Sequence, residues 1–335
     1  MFTLKQFQET RAGLQDKIRF TPLLYSDSLS SLTGNRIYLK AESFQLTHSF
    51  KIRAAYGGLL PQLAEARKRG VVTGSSGNFA QGLAYAARAL GVQVTVVMLE
   101  RSARYKVEAT RRLGAEVVFC PNEFSERTAT VERIHREQGK LIVHSYDDEG
   151  TIRGNGTLGF ELVEQLPDLD VVLVPTSGGG LLAGIAAVVK QLRPQAKVYG
   201  VQPEGNPSMR VSLEKGEPTY VKTVPSVADG LVAACPGKLT FPLVRQYVDD
   251  VFLVSDNEII KAVVHLLDQE KLVIEPSGAV SLAALLRHLA GKMQNQKVVV
   301  VLTGGNVELG RLMEMVASVR QSLSLIHISE PTRPY

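Results

Sequence analysis

A single lysine stands between two bulky apolar residues at the point where a loop gives way to a helix. It is Lys51, flanked by Phe50 and Ile52 in the stretch THSFKIRAAYGGLL, residues 47–60. Burial among apolar side chains disfavours the ammonium form and lowers the pKa of a lysine, so that its amine becomes a usable nucleophile or base. A surface lysine that covers apolar neighbours with its aliphatic stem is the alternative. This stretch alone favours the surface lysine, so the rest of the chain must decide.

Three consecutive glycines follow a buried strand and open a helix in PTSGGGLLAGIAAVV, residues 175–189. Gly178, Gly179 and Gly180 leave backbone amides free to point at a ligand, and the helix dipole adds positive potential. The pattern is neither the G-x-G-x-x-G dinucleotide fingerprint nor a nucleotide P-loop with its Lys-Ser/Thr pair. A tight strand-to-helix turn is the alternative, but such a turn rarely needs three glycines in succession. The stretch therefore favours a phosphate site.

A second helix start punctuated by glycine gathers polar side chains in TGSSGNFAQGLAYAA, residues 73–87. Ser75, Ser76 and Asn78 stand there together. Polar side chains and free amides at a helix N-terminus suit an anion such as a carboxylate. Ordinary N-capping by a serine explains the same residues, and this segment leaves both interpretations open.

Two further stretches place polar groups beside strands and helix starts. In KLVIEPSGAVSLAALL, Glu275 precedes a proline and a capped helix, and in VVVVLTGGNVELG a buried strand ends in Thr303 and two glycines. Each stretch alone is weak evidence. Together, the four stretches supply a phosphate site, a carboxylate site, a lysine and a hydroxyl. A cofactor with a phosphate, an aldehyde and a ring nitrogen would use all four.

The elements that must position these groups follow one repeated pattern. Short β-branched runs, a glycine-rich turn and an alanine-rich helical stretch succeed one another in residues 70–91, 92–114 and 170–192. Continuous apolar strands that alternate with helices are typical of parallel strands covered on both faces. We therefore predict an α/β fold with two lobes, each an open, mostly parallel sheet flanked by helices. Ligands of such folds bind beyond the carboxyl ends of the strands, where the glycine-rich turns lie.

The length of 335 residues exceeds what one compact core usually holds, so two lobes are expected. We predict a large lobe built from residues 1–65 and 148–322, and a small lobe built from residues 66–147. The end of the chain reads LIHISEPTRPY, with two prolines and no periodicity. We predict that residues 323–335 are a non-native or disordered tail.

Composition excludes several classes of protein. The net charge of +5 is modest and its basic residues are interspersed with acids, which argues against a nucleic-acid surface. The longest apolar runs are too short to span a bilayer, and the N-terminus lacks the apolar core of a signal peptide. Cys120 and Cys235 have no paired spacing and fit a reducing compartment, and no H-x-x-x-H pair suggests zinc. We therefore expect a cytoplasmic protein with a small-molecule ligand, no nucleic acid, no membrane and no metal.

The ordered set of motifs resembles the threonine/serine dehydratase and serine racemase group of fold-type II pyridoxal-phosphate enzymes, whose fold is like that of the tryptophan synthase β subunit. SFKIRAA resembles the lysine motif of that group, SSGNFAQGLAYAA its asparagine loop, and SGGGLLAG its phosphate loop. ADG, EPSGA and TGGN follow in the expected order, so that the resemblance runs from about residue 5 to about residue 320. It implies pyridoxal 5′-phosphate as the cofactor, an amino acid as the substrate, and a homo-oligomer, either a dimer or a tetramer.

The resemblance also implies roles for individual residues. Lys51 would bind the cofactor covalently and later move the α-proton, and Ser76 is the second predicted catalytic residue. The predicted cofactor-binding residues are Phe50, Lys51, Asn78, Ser177, Gly178, Gly179, Gly180, Leu181, Gly230, Glu275 and Thr303. Asn78 would meet the phenolic oxygen and Thr303 the pyridine nitrogen. The predicted substrate-binding residues are Ser75, Ser76, Asn78 and Arg127.

The implied activity is loss of the β-hydroxyl of L-threonine or L-serine, which gives a 2-oxo acid and ammonia. Thr303 is a neutral hydroxyl and cannot hold the ring nitrogen protonated as an aspartate would, which weakens the electron sink and favours prompt elimination. An amino-acid racemase with side elimination is the alternative, because racemase relatives also carry a serine where Ser76 stands. A cofactor-binding protein without turnover is the alternative from another class, and Lys51 speaks against it.

Several positions depart from the family pattern. His48, Phe79, Asn155 and Thr303 stand where the family usually has glycine, histidine, glutamine and serine. Racemase relatives bind a divalent cation through acidic side chains at the places of Gln202 and Ser208. No metal site is therefore predicted, although Glu204 leaves another cation open.

Overall fold

The computed structural model describes residues 2–328 of the chain. Residues 329–335 of the predicted tail lie outside the described residues. In chain order, the strands are β1 (Leu23–Ser26), β2 (Arg36–Ala41), β3 (Val71–Gly74), β4 (Val94–Leu99), β5 (Glu116–Cys120), β6 (Leu141–Ile142), β7 (Val171–Pro175), β8 (Lys197–Pro203), β9 (Asp250–Val254) and β10 (Lys297–Leu302).

The helices lie between and around these strands. In chain order they are α1 (Leu4–Leu14), α2 (Asp27–Thr33), α3 (Lys51–Leu59), α4 (Leu63–Arg69), α5 (Asn78–Leu90), α6 (Arg104–Arg112), α7 (Phe124–Gln138), α8 (Glu149–Gln165), α9 (Gly180–Leu192), α10 (Ser208–Lys215), α11 (Thr240–Tyr247), α12 (Asp256–Asp268), α13 (Pro276–Ala284) and α14 (Leu309–Ile328).

The strands form two separate sheets. The larger sheet has the order β1-β2-β10-β7-β8-β9. Strand β1 is antiparallel to β2, and all the remaining neighbouring pairs are parallel. The smaller sheet has the order β5-β4-β3-β6 and is parallel throughout. The predicted α/β class with two mostly parallel sheets is confirmed.

Both faces of the larger sheet are covered, which explains the continuous apolar runs in its strands. In β10, Val298 and Val300 belong to one core cluster, whereas Val299 and Val301 belong to the cluster on the opposite face. Successive side chains of a strand point to opposite faces, so a strand covered on both sides needs apolar residues at every position. The residues of β7 alternate between the same two clusters. The turn with the three glycines follows β7 and therefore lies at the edge of the packed core.

A buried cluster of four charges anchors α3 to the larger sheet and to α8. Arg53 lies 2.8 Å from a carboxylate oxygen of Glu42 and 2.6 Å from one of Glu161, and Lys40 lies 2.7 Å from the other oxygen of Glu161. All four side chains are nearly or completely buried. Buried charges of this kind are stable only when each one is paired and hydrogen-bonded. The cluster therefore fixes the helix that begins with Lys51.

The strands of the smaller sheet form one continuous stretch of the chain, and those of the larger sheet lie before and after it. The smaller sheet runs from Val71 to Ile142, within the stretch assigned to the small lobe. We keep the boundaries at residues 66–147 for the small lobe, and 1–65 with 148–322 for the large lobe, as a proposal. Within residues 2–328, no helix combines the length and the apolar character that a membrane span requires.

Candidate active site

A cavity of about 760 Å³ opens at the carboxyl ends of the strands and is lined by residues of both lobes. Every residue for which the sequence predicted a role reaches it. These residues are Phe50, Lys51, Ser75, Ser76, Asn78, Arg127, Ser177, Gly178, Gly179, Gly180, Leu181, Gly230, Glu275 and Thr303. The structure thus brings together groups that are far apart in the chain, while the role of each one stays a prediction.

Lys51 is the first residue of α3, is half-buried and lines the cavity. Its amine lies 4.7 Å from the centre of the Phe50 ring. Burial lowers the pKa of Lys51 to about 8 and outweighs the opposing charge of Glu275. A large fraction of the amine is therefore neutral near pH 8. This environment favours the reactive lysine over the surface lysine that the local sequence suggested.

The start of α9 forms a cradle of backbone amides. Gly179 precedes the helix with a φ of 99°, in the left-handed region that glycine adopts without strain, and no side chain caps the helix. A Cβ atom on Gly179 would lie 2.6 Å from Met209 Cε and 2.9 Å from Thr240 Oγ1. One on Gly180 would lie 2.7 Å from the carbonyl oxygen of Tyr146. Close packing therefore requires glycine, and the uncapped amides suit a phosphate.

The start of α5 also lacks a side-chain cap. Gly77 is its N-cap residue and no side chain caps the helix. The hydroxyl of Ser76 instead accepts a hydrogen bond from the Leu99 amide at 3.3 Å and bonds the Ser102 hydroxyl at 2.7 Å. The capping alternative for Ser76 is therefore wrong. The free amides of this helix end remain suited to a carboxylate.

Glu275 and Asn78 join the two lobes across the cavity. Asn78 Nδ2 donates a hydrogen bond of 2.6 Å to Glu275 Oε1. Burial and the nearby Asp229 charge raise the pKa of Glu275 to about 7, against the opposing influence of Lys106, Asn78 and Lys51. The carboxyl group can therefore hold or release a proton near neutral pH.

Gly230 and Thr303 are held by hydrogen bonds that involve the backbone. The Gly230 amide donates to Ser277 Oγ at 2.8 Å. Thr303 follows β10, is nearly buried, and its carbonyl oxygen accepts a hydrogen bond of 3.0 Å from the Phe50 amide. This last bond ties the residue before Lys51 directly to the residue predicted to meet the cofactor's ring nitrogen.

Arg127 lies on α7 in the wall of the cavity. Its guanidinium lies 4.9 Å from the centre of the Phe124 ring. Burial lowers the pKa of Arg127, and within residues 2–328 its side chain forms no salt bridge. A cation with no protein carboxylate beside it is available to bind the carboxylate of a ligand.

The structure adds cavity residues that the sequence did not single out. Tyr146 packs against the glycines of the cradle, and burial raises its pKa to about 12. Lys106 of α6 pairs with Asp229 of the large lobe at 2.8 Å, across the mouth of the cavity. Tyr146 and Lys106 belong to none of the motifs in the sequence, whereas Asp229 belongs to the ADG stretch, from which its pairing with Lys106 does not follow.

The region around Glu204 contains an internal ion pair. Arg287 Nη1 lies 2.8 Å from carboxylate oxygens of both Glu204 and Glu258. In the part of the chain that the structure covers, no group of three or more His, Cys, Asp or Glu side chains could hold a metal ion. The Arg287 guanidinium therefore neutralises the carboxylates of Glu204 and Glu258, near which the sequence allowed a bound cation as an alternative.

A cavity-lining lysine with a lowered pKa, an amide cradle and a threonine hydroxyl at strand ends of an α/β fold with two parallel sheets are the features of a fold-type II cofactor enzyme. The family profile described as pyridoxal-phosphate dependent enzyme matches residues 14–304. The chain belongs to this pyridoxal-phosphate-dependent enzyme family.

Named relatives agree with this assignment. The chain is 42% identical over 316 residues to the L-threonine ammonia-lyase of Thermotoga maritima, an alignment that covers 94% of this chain and 78% of that protein. The crystal structure of a threonine deaminase from T.th. superposes with a TM-score of 0.86 at 38% identity, over 92% of this chain and 99% of that one. Maize serine racemase superposes with a TM-score of 0.87 at 33% identity, over 97% and 98% of the two chains.

The residues of the cavity fit pyridoxal phosphate, the cofactor of the family. A Cβ atom at Gly179 would collide with Met209 and Thr240, so this turn is kept free of side chains and its uncapped backbone amides suit a small anionic group. Lys51 has an amine of lowered pKa that would suit the aldehyde, and Thr303 has a hydroxyl that would suit the ring nitrogen. Phosphate, aldehyde and ring nitrogen thus each find a group of matching chemistry in one cavity.

Proposed function

We propose that the protein is an ammonia-lyase that removes the β-hydroxyl and the amino group of L-threonine or L-serine and releases a 2-oxo acid and ammonia. The observation that carries the proposal is the presence of the Lys51 amine and the amide cradle of residues 178–180 in one cavity. The names of the relatives, L-threonine ammonia-lyase and threonine deaminase, support the same reaction. The amine of lowered pKa at Lys51 speaks against a protein that only binds the cofactor, because it is also suited to act as a base.

When bound, pyridoxal phosphate supplies an aldehyde that captures the substrate amine and a ring that withdraws electrons from the α-carbon. The amides of residues 177–181 would hold its phosphate. Asn78 would contact the phenolic oxygen, and Thr303 the ring nitrogen. Phe50, Gly230 and Glu275 would complete the walls around the ring. All of these residues line the cavity.

The substrate carboxylate would be oriented by the start of α5 and by Arg127. Ser75, Ser76 and Asn78 line the cavity beside the uncapped start of that helix, and Arg127 offers a cation without a carboxylate partner. Lys51 would then take the α-proton, because an amine with a pKa of about 8 is a competent base at neutral to slightly alkaline pH. Thr303, as a neutral hydroxyl, would not stabilise a long-lived negative charge, which favours departure of the β-hydroxyl.

The proposal predicts that L-threonine is a better substrate than L-serine. Phe79 and Ala233 form apolar parts of the cavity wall, where the extra methyl group of threonine would be buried. One methyl-sized group in an apolar pocket contributes about 1–3 kcal/mol to discrimination. We expect kcat/KM for 2-oxo acid release to be about tenfold or more higher with threonine. Phe79→Ala should reduce this preference.

The matching assay measures 2-oxo acid and ammonia from both amino acids with the cofactor-loaded enzyme. For each amino acid, release of 2-oxo acid and ammonia in equal amounts supports the elimination. A clear preference for serine would contradict the role of Phe79, and no 2-oxo acid from either amino acid would contradict the proposed function itself.

A minor racemase activity is the second candidate function. The hydroxyl of Ser76 bonds the Ser102 hydroxyl and does not cap the helix. We infer that it can exchange a proton with a substrate bound in the cavity. The likeness to maize serine racemase supports this candidate. The neutral Thr303 shortens the time available for reprotonation, so elimination should still dominate.

We predict that Ser76→Ala abolishes D-serine formation and spares most pyruvate formation. Both products are followed during incubation of L-serine in deuterated buffer. Ser102→Ala is the matched control, because it removes the hydroxyl partner and leaves the Ser76 hydroxyl in place. If the wild-type protein forms no D-serine, Ser76 has no role in proton return.

We further propose that the protein forms a homo-oligomer, a dimer or a tetramer, in the cytoplasm. Support for the oligomer comes from large apolar side chains on the surface of α14, where Leu309 and Met313 are 72% and 59% exposed. Sedimentation of the purified protein would distinguish the monomer from either assembly.

A further inference from the structure

We infer that Asn306 is a positioning residue that fixes the orientation of the Asn78 carboxamide and ties the turn before Lys51 to the end of β10. The inference rests on the proposed function, because it concerns residues assigned to the cofactor. Asn306 belongs to the TGGN stretch, but no role follows for it from the motif alone.

The side chain of Asn306 uses both of its N–H groups. Nδ2 donates to the carbonyl oxygen of Thr47 at 2.9 Å and to Asn78 Oδ1 at 2.9 Å. A backbone carbonyl can only accept, so the contact with Thr47 settles which atom of Asn306 is the nitrogen. The remaining N–H of Asn306 then requires an acceptor from Asn78, which is its Oδ1 atom.

The orientation of Asn78 follows from this first contact. With Oδ1 turned to Asn306, Nδ2 of Asn78 points the other way and donates to Glu275 Oε1 at 2.6 Å. A rotated amide would place two donors against each other at Asn306 and an oxygen against the carboxyl group of Glu275. Asn306 therefore keeps the second N–H of Asn78 available as a donor on the side of the cavity.

The turn that Asn306 holds is strained. Thr47 and His48 have φ values of 60° and 56°, in the left-handed region that side chains disfavour. Such a conformation persists only where neighbouring groups enforce it. Asn306 binds the Thr47 carbonyl, and the Gly305 amide donates to the His48 carbonyl at 3.0 Å. The His48 amide also donates to the Gln45 carbonyl at 2.9 Å, so Asn306 supplies the side-chain part of this hold.

The turn leads directly into the residue that bears the reactive amine. Phe50 donates its amide to the Thr303 carbonyl, and Lys51 begins α3 immediately after it. Thr47 Oγ1 and Ser49 Oγ are buried without a hydrogen-bond partner in the described part of the chain, so the side chains of the turn contribute little to its hold. One carboxamide thus aligns the start of α3 with the start of α5.

The test replaces Asn306 by aspartate, which has the same shape but no N–H donor. Asn306→Asp should turn the Asn78 amide, present an oxygen instead of a donor to the cofactor, and release the turn at Thr47. We expect cofactor binding to weaken about tenfold, the visible absorption band of the bound cofactor to shift, and kcat to fall more than KM rises. Asn306→Ala, which adds no charge, should act in the same direction and replaces the first variant if that one does not fold.

The matched control is Asn35→Asp. Asn35 also bridges two segments, through Nδ2 to the carbonyls of Thr33 and Met293 at 2.9 and 3.0 Å, but it does not line the cavity. The Asn35→Asp variant should have a lower thermal stability, while its absorption band and its cofactor affinity stay at wild-type values. If Asn306→Asp also lowered only the thermal stability and left the absorption band and the cofactor affinity unchanged, the role of Asn306 would be purely structural and the inference would be overturned.

A double-mutant cycle isolates the coupling to Asn78. If Asn306 acts on the absorption band through Asn78, Asn306→Asp should shift the band of the wild-type protein and leave that of Asn78→Ala unchanged. Equal shifts in both backgrounds would overturn the inference. Failure of the wild-type protein to bind the cofactor or to release a 2-oxo acid would instead contradict the proposed function, so the two failures are distinguishable.

Discussion

Lys51→Ala should yield a protein that is colourless after dialysis and inactive. The amine is the group that would bind the cofactor covalently and move the α-proton, and nothing else at the start of α3 can replace it. Loss of the proton-transfer group alone lowers kcat by about 10²–10⁴-fold. Because covalent attachment of the cofactor is lost as well, we expect kcat to fall by at least about 10⁴-fold. Absorbance in the visible range and 2-oxo acid release measure the two effects.

Lys68→Ala is the control for this prediction. Lys68 lies on the surface of α4, where it pairs with Glu65, and it does not line the cavity. It should keep the colour and the activity of the wild-type protein. A Lys51→Ala protein that keeps its visible band and its turnover would contradict the catalytic assignment.

Gly179→Val should produce a folded protein that binds the cofactor about 100-fold more weakly. The new side chain would collide with Met209 and Thr240, since even a Cβ atom would lie 2.6 Å from the first of them. The shift of the backbone would withdraw amides from the phosphate. Each hydrogen bond to a charged group contributes about 1.5–3 kcal/mol, so the loss of one or two accounts for this factor. Titration of the cofactor-free protein with pyridoxal phosphate measures the affinity.

Gly216→Val separates this effect from backbone strain. Gly216 also has a left-handed φ, of 79°, but a Cβ atom there would meet nothing within 4 Å. The control should lose stability from the strained backbone and keep its cofactor affinity. Unchanged affinity in Gly179→Val would refute the cradle.

Elements with strong local signals could be predicted from the sequence. The starts of α3, α5, α9 and α13 lie where the motifs placed them, because glycines, a proline and a change from β-branched to alanine-rich segments mark each boundary. The buried strands β7 and β10 were recognisable because both of their faces are apolar. Strand β6 was not, because it is only Leu141–Ile142 and is half-buried.

Contacts between distant parts of the chain could not be predicted in this way. Asn306 bonds residues that precede it by 259 and 228 positions, and no local pattern pairs them. The cluster of Arg53, Glu42, Glu161 and Lys40 joins charges that a sequence presents as surface residues. The resemblance to a family supplied an order of motifs, whereas the hydrogen bonds that orient Asn78 and the turn before Lys51 are visible only in three dimensions.

Covalent binding of the cofactor to Lys51, on which the proposed function depends, can be observed by chemical trapping. The protein loaded with pyridoxal phosphate is treated with borohydride, which makes the attachment to a lysine permanent, and is then digested and mapped by mass spectrometry. The modified group should lie on the peptide that contains Lys51 and on no other lysine at comparable yield. Stable modification of a different lysine, or of no lysine under conditions in which the protein is coloured, would rule out Lys51 as the attachment residue.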